Sequence, residues 1–137
     1  MKGMRFVLGA LLLLLLAIAS SMMSQEKNTP SQTSYKYDQA SQQTLHGWVV
    51  AENDFQCPVS GAVGSHITVK TETGSVEVHL APVKFMKQYE INIRKDDNVT
   101  VIGSRIMFDG KPALIAKSVA IGRETYNFRD DKGRPLW

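Results

Sequence analysis

In His66-Ile-Thr-Val-Lys-Thr-Glu-Thr-Gly-Ser-Val-Glu-Val-His-Leu80, apolar and polar residues alternate along both halves of the segment. Side chains on a β-strand point alternately to opposite faces, so this period of two predicts strands over 66–71 and 75–80. Between them, Glu72-Thr-Gly74 is a turn signal. The segment is therefore predicted to form an antiparallel hairpin.

The alternation also predicts which residues pair across this hairpin. A tight turn at Thr73-Gly74 places Val69 opposite Val78, and a slip of one residue would place Val69 opposite Glu77 instead. The apolar face then points into a core, and the other face points outward. The predicted outward group is Thr68, Lys70, Glu77 and His79.

Outside the hairpin, runs rich in Val, Ile and Thr recur between Gly, Asn and Asp residues, which is typical of an all-β domain. The pattern of period two is interrupted once, at 82–89, where Pro82 begins a segment whose apolar residues are spaced three and four apart. We predict a short helix there. The remaining predicted strands are 45–52, 98–108, 112–121 and a weaker 124–129.

Two glycines are predicted to distort these strands. Along 98–108, the apolar residues change from one face of the predicted strand to the other. With Val101 paired with Val119, a β-bulge near Gly103-Ser104 explains this change. Gly47 in the first strand permits a sharp bend.

The order of three strands, a short helix and two further strands is that of the OB-fold, a five-stranded Greek-key barrel. We therefore predict an all-β, OB-like Greek-key barrel of five to six strands over 44–137. One short helix lies between the third and fourth strands, and 124–137 forms a final strand or hook.

The pattern is carried by four segments: Leu45-His-Gly-Trp-Val-Val50, Gly74-Ser-Val-Glu-Val-His-Leu80, Val99-Thr-Val-Ile-Gly-Ser104 and Leu114-Ile-Ala-Lys117. Together they resemble the small exported OB-fold proteins of bacteria. That resemblance implies a signal peptide followed by one barrel.

The first 19 residues have the three-part pattern of a secretory signal peptide: basic residues, an apolar run from Phe6 to Ala19, and the small-residue site Ala17-Ile-Ala19. The alternative is a retained membrane anchor over 6–23. Residues 20–43 contain six serines and five glutamines, which predicts a disordered polar linker. The protein is thus expected to be exported to the periplasm or cell exterior.

Composition limits the function further. The chain has 137 residues, enough for one domain, and one cysteine, so that no internal disulfide can form. From residue 44 onward, the chain contains 12 basic and 11 acidic residues, so its net charge there is close to zero. The predicted strands 66–71 and 75–80 contain no Phe, Tyr or Trp. Nucleic acid is therefore an unlikely partner, because OB-folds bind single strands through aromatic platforms and a basic groove.

Metal and redox chemistry remain open. His46, His66 and His79 are candidate metal ligands, but none lies in a CxxC, HxxxH or HExxH arrangement, and an ordinary surface histidine is the alternative at position 79. Cys57, predicted in a loop between the first two strands, is a candidate redox thiol or a small buried residue. No cofactor is expected, although a metal is not excluded.

Other candidates are binding residues. Lys70, Glu77 and His79 share the outward face, and Trp48 could stack a ligand or pack at the rim. Leu136 and Trp137 form an apolar pair that either docks a partner or packs back on the barrel.

No nucleophile elbow, phosphate loop or zincin helix is present in the sequence. The predicted function is therefore a non-enzymatic binding module of the bacterial cell envelope, with a protein, peptide or small ligand as partner. A membrane contact would be made only through the N-terminal segment, in the case where that segment is not cleaved. The alternative is a metal-binding or redox accessory protein that uses its histidines and Cys57.

Overall fold

The structure is a computed structural model that describes residues 35–137. The predicted signal peptide and most of the predicted linker lie outside the described residues. The elements are β1 (Gln42–Cys57), β2 (Ala62–Thr71), β3 (Gly74–Pro82), α1 (Val83–Gln88), β4 (Asn98–Phe108), β5 (Lys111–Ile121) and β6 (Glu124–Asn127).

The strands form one sheet in the order β3-β2-β1-β4-β5-β6. A parallel pairing between β3 and β5, in which Val78 lies opposite Leu114, closes the first five strands into a barrel. The predicted all-β, OB-like fold is confirmed, and so is the sixth strand. None of the helical segments within residues 35–137 has the length and apolar character needed to cross a membrane.

The barrel interior is filled by the apolar residues of the alternating strands, as the period-two pattern predicts. These side chains are almost completely buried, because each strand directs every second residue inward. The fully buried members are Val49, Val69, Val78, Val99, Val101, Leu114, Ala116, Val119 and Phe128.

Strand β1 is longer than predicted because it takes part in two pairings. Residues 42–48 pair with β4 and residues 48–57 with β2, with a bulge between Val49 and Ala51. Gly47 lies where the strand changes partner. A Cβ at Gly47 would collide with the carbonyl oxygen of Lys70 and lie 2.8 Å from Val69 Cγ1, so the strand can pass there only without a side chain.

The β2–β3 hairpin has a register that differs from the prediction by two residues. Val69 lies opposite Val76, and Thr71 lies opposite Gly74. A two-residue turn makes this possible, since the Thr71 hydroxyl accepts from the Thr73 amide and donates to the Gly74 carbonyl. A slip of two residues keeps each side chain on its predicted face but changes its partner. His79 consequently lies opposite His66 instead of Thr68.

The β4–β5 hairpin has the predicted core pairing and the predicted bulge. Val101 pairs with Val119, and the register shifts between Ile102 and Gly103. The connection is the two-residue turn Asp109-Gly110, whose φ angles are 48° and 74°. Two successive positive φ angles are typical of the turn type that suits the twist of a hairpin.

Residues 35–41 were predicted to belong to the linker, but they pack against the barrel. The Asp38 amide donates to the Ser104 hydroxyl at 2.9 Å, and the Tyr35 ring lies 5.4 Å from the Phe108 ring. The aromatic residues of this otherwise polar segment, Tyr35 and Tyr37, pack against an apolar surface of the barrel. The result is a second apolar cluster, outside the barrel interior, formed by Ile106, Ala113 and Ile115 with Tyr35, Tyr37, Val59 and Phe108.

The segment after β6 forms a hook. Phe128 is fully buried in the main core, and Arg129 forms a bridge with Pro135. The Leu136 amide donates to the Phe128 carbonyl at 3.0 Å, which returns the chain toward the barrel.

Candidate metal centre

The outward face of β3 is buried at His79. This side chain alternates with core residues Val78 and Leu80, so it points away from the barrel interior as predicted, yet its relative exposure is 2%. The predicted surface position was wrong because the second apolar cluster covers this part of the barrel. Ile115 of that cluster is the β5 residue opposite His79.

Cys57, on β1, lies next to His79. It was predicted in a loop, but it is the last residue of β1, pairs with Ala62 and is 1% exposed. Its Sγ lies 3.3 Å from His79 Nδ1. In the metal-free protein the thiol can therefore donate to the unprotonated ring nitrogen.

His66 is the third member of the cluster. Its ring centroid lies 4.6 Å from that of His79, edge to face. Its Nδ1 donates to the Asn53 carbonyl at 3.3 Å, which leaves Nε2 unprotonated, buried and without a hydrogen-bond partner. Gly64 makes room for this arrangement, since a Cβ there would lie 2.8 Å from Cys57 Cβ and 3.1 Å from His66 Cε1.

Glu77 lies behind His79. Its Oε1 is 3.1 Å from His79 Nε2, which is within ion-pair distance. Both atoms are nevertheless without a hydrogen bond of acceptable geometry, so the contact is a close approach that is not aligned. In the His79 tautomer with its proton on Nε2, that proton points toward the Glu77 carboxylate. Nδ1 of His79 is then unprotonated and can accept from the Cys57 thiol.

Aromatic side chains wall the cluster. The Phe55 ring stacks on His66 with centroids 3.7 Å apart, and the Phe108 ring meets His79 at 4.6 Å. The cavity beside the cluster has a volume of about 10 Å³, which corresponds to about one water molecule. The site therefore has room for a single atom or ion and excludes larger ligands.

Burial sets the protonation of these groups. It lowers the pKa of His79 to about 4, with a further contribution from His66. Burial also lowers the pKa of His66, against the opposing effect of its hydrogen bond to the Asn53 carbonyl. The pKa of Glu77 is raised by burial and by Asp109. Both imidazoles are consequently neutral at pH 7, which is the form that binds metals.

The cluster has the donor set of a metal site. One ligand atom each from Cys57, His66 and His79 lies within 4.8 Å of the others, so side-chain shifts of about 1 Å would bring all three within bonding distance of one ion. Each histidine also has its second nitrogen next to an oxygen acceptor, the Asn53 carbonyl or Glu77. Metal-binding histidines almost always have such a partner, because it fixes the tautomer and the ring orientation.

The other predicted site residues lie elsewhere. His46 is exposed, with Nδ1 3.0 Å from the Thr100 hydroxyl. Trp48 is 55% exposed and pairs with the exposed Lys70 across β1 and β2. The predicted outward group thus divides, with His79 in the buried cluster, Glu77 half-buried beside it and Lys70 on the surface.

Leu136 and Trp137 belong to the hook. Leu136 is 48% exposed, whereas the Trp137 ring packs 5.8 Å from the Phe85 ring and also lines the cavity beside the cluster.

Arg129 lines the site as well, although no sequence pattern singles it out. Its guanidinium is buried and lies 5.1 Å from the Trp137 ring and 5.6 Å from the Tyr37 ring. Its Nη1 donates to the Gly133 carbonyl at 2.9 Å, while Nε has no partner. Arg129 also lines the cavity beside Cys57. Its position depends on the hook returning to the barrel, for which the sequence has no local signal.

Comparison with known proteins assigns the family. The sequence model of the MamS/MamX magnetosome protein family matches residues 41–126, which include five complete strands and all three candidate ligands. The chain belongs to the MamS/MamX magnetosome protein family. The fold expected from the resemblance to small exported OB-fold proteins is confirmed, but the family membership found is this one.

A curated member of the family gives a second match. The magnetosome protein MamS of Magnetospirillum gryphiswaldense is 36% identical over 76 residues, which cover 53% of this chain and 41% of MamS. The chain therefore matches less than half the length of that relative.

Solved structures with similar folds are more distant. One is the Stn1–Ten1 complex of S. pombe, with a TM-score of 0.47 and 18% identity, covering 61% of this chain and 59% of that one. Another is the asparaginyl-tRNA synthetase of Pyrococcus horikoshii, with a TM-score of 0.44 and 13% identity, covering 64% and 20%.

Proposed function

We propose that this domain is a non-enzymatic binding module of the magnetosome family whose ligand is a single metal ion. The ion would be held by Cys57 Sγ, His79 Nδ1 and His66 Nε2. The observation that carries the proposal is the convergence of these buried donor atoms within 4.8 Å of one another.

The burial of the donors supports binding over catalysis. Catalytic zinc sites keep a coordination position open to water and substrate, whereas a cavity of about 10 Å³ leaves no space for an organic substrate. Thiolate and imidazole are ligands of transition metals, and hard cations such as Mg²⁺ prefer oxygen. Binding would release the thiol proton, but the imidazoles are already neutral.

We propose an exported setting for this module, in the periplasm or at the cell exterior. The support is the signal-like pattern of residues 1–19, with a retained anchor over 6–23 as the alternative. The mass of the protein isolated from the cell envelope tests it, because cleavage after Ala19 removes the first 19 residues and retention leaves Met1 in place.

The metal proposal is tested by titrating the full-length protein, freed of metal, with Co²⁺ and Zn²⁺. We expect one ion per chain and a thiolate-to-cobalt charge-transfer absorption. Cys57→Ser, which is nearly isosteric, should abolish that absorption, and His79→Ala should reduce the affinity. His46→Ala is the matched control, because it removes an exposed histidine outside the cluster.

Circular dichroism of each variant establishes that it folds. The proposal fails if the folded wild-type protein binds none of Co²⁺, Zn²⁺ and Ag(I) stoichiometrically. It also fails if His46→Ala weakens binding as much as His79→Ala does.

A further inference from the structure

We propose that the cluster selects a soft monovalent ion of low coordination number, of which Cu(I) is the biological example, over Zn²⁺ and Fe²⁺. This inference rests on the proposed metal-binding function and specifies its ligand. It follows from the number of donors, from the charge of the buried site and from the position of Arg129.

The donor number favours a three-coordinate ion. Within residues 35–137, the group of metal-ligating side chains that converges is Cys57, His66 and His79. Zn²⁺ in structural sites is almost always bound by four ligands, whereas thiolate ligands also suit Cu(I). Ser60, which lines the cavity, has its hydroxyl directed to the Ala62 carbonyl instead. The small apolar space leaves no room for the water shell of a harder ion.

The charge of the site favours a monovalent ion. A thiolate and two neutral imidazoles carry one negative charge, so a monovalent ion makes a neutral complex and a divalent ion leaves a net positive charge. Burying uncompensated charge is costly. Glu77 compensates only in part: its Oε1 is buried beside His79, but the side chain as a whole is 36% exposed, so solvent screens part of its charge.

Arg129 increases this discrimination. Arg129 has a buried guanidinium and is one of the residues that line the same cavity as Cys57, and no carboxylate of residues 35–137 forms an ion pair with it. The flanking rings of Tyr37 and Trp137 stabilise the cation through their faces but add no negative charge. A second positive charge at the metal would be repelled across a low-dielectric space, and a neutral complex would not.

The experiment compares Ag(I), a redox-inert substitute for Cu(I), with Zn²⁺ on the full-length protein, and Cu(I) itself under anaerobic conditions against a chromophoric chelator. We expect one Ag(I) or Cu(I) per chain that excess Zn²⁺ does not displace. X-ray absorption of the Cu(I) form should show three ligands, one sulfur and two nitrogens.

The variant Arg129→Met removes the charge and retains much of the side-chain length. We expect it to raise the Zn²⁺ affinity by at least about tenfold and to change the Ag(I) affinity less. Arg134→Met is the matched control, because Arg134 is an exposed arginine of the same segment that pairs with Asp130. It should leave both affinities unchanged.

The outcomes separate the two proposals. If excess Zn²⁺ displaces Ag(I), or if the Cu(I) form has four ligands, the selectivity is refuted while metal binding stands. If neither Zn²⁺ nor Ag(I) binds in a manner that depends on Cys57, both proposals fail. If Arg129→Met does not fold, the displacement and the ligand count still decide the question.

Discussion

Acid should destabilise the metal-free protein through His79. Burial lowers its pKa from 6.5 to about 4, so between these values the unfolded chain binds a proton that the folded chain does not. The free energy of unfolding must then fall as the pH falls through this window. The shift corresponds to about 3 kcal/mol, or about 2 kcal/mol after allowance for solvent screening.

Neighbouring groups modify this effect in known directions. His66 also has a lowered pKa and adds to the loss of stability in acid. Glu77 has a raised pKa, so its protonation opposes the loss at the acidic end. A comparison of the wild-type protein with a variant that lacks only the His79 proton site separates these contributions.

Urea unfolding followed by tryptophan fluorescence, in the presence of a chelator, measures the effect at about pH 7 and about pH 4. The variant His79→Gln should lose about 2 to 3 kcal/mol less than the wild type over that interval. His46→Gln, at an exposed position, should behave as the wild type. An equal loss in His79→Gln and wild type would refute the assignment of a neutral, buried imidazole at position 79.

Three further predictions concern the barrel. Phe128→Ala should lower the free energy of unfolding by about 3 to 5 kcal/mol, measured by thermal or urea unfolding, because this ring is fully buried. Trp137→Ala should lower it by about 1 kcal/mol, because this residue is 37% exposed. Equal losses in the two variants would contradict the packing described. Gly47→Ala should lower the melting temperature by several degrees through its clash with the Lys70 carbonyl, and an unchanged melting curve would show that β1 can bend elsewhere. Single-stranded DNA should bind weakly and in a strongly salt-dependent manner, so submicromolar affinity at physiological salt in a fluorescence anisotropy assay would be inconsistent with the near-neutral charge.

The sequence predicted most of the fold because alternation and turn chemistry are local signals. The bulge beside Gly103 and the pairing of Val101 with Val119 followed from a shift in apolar phase, and both are observed. The hairpin of β2 and β3 was misaligned by two residues, because pairing Val69 with Val76 or with Val78 buries the same apolar face. The hydrogen bonds of the Thr71 side chain to the turn favour the observed register.

The candidate site was less predictable, although its three ligands had each been named. Their convergence depends on the pairing of His66 with His79, which the predicted register missed. Their burial depends on residues 35–41, which composition assigned to a linker, and on the hook that brings in Arg129. Such contacts join residues far apart in the chain, and the spacing of apolar residues within one segment cannot predict them.

The parallel pairing of β3 with β5 has a consequence for the order of folding. It joins His79 to Ile115, whereas Cys57, His66 and His79 all lie on the consecutive strands of the β1–β2–β3 meander. Contacts between neighbouring strands close short loops and form early, while barrel closure must close a longer one. The three ligands can therefore meet before the barrel is complete, and an ion bound at that stage would stabilise the meander ahead of barrel closure.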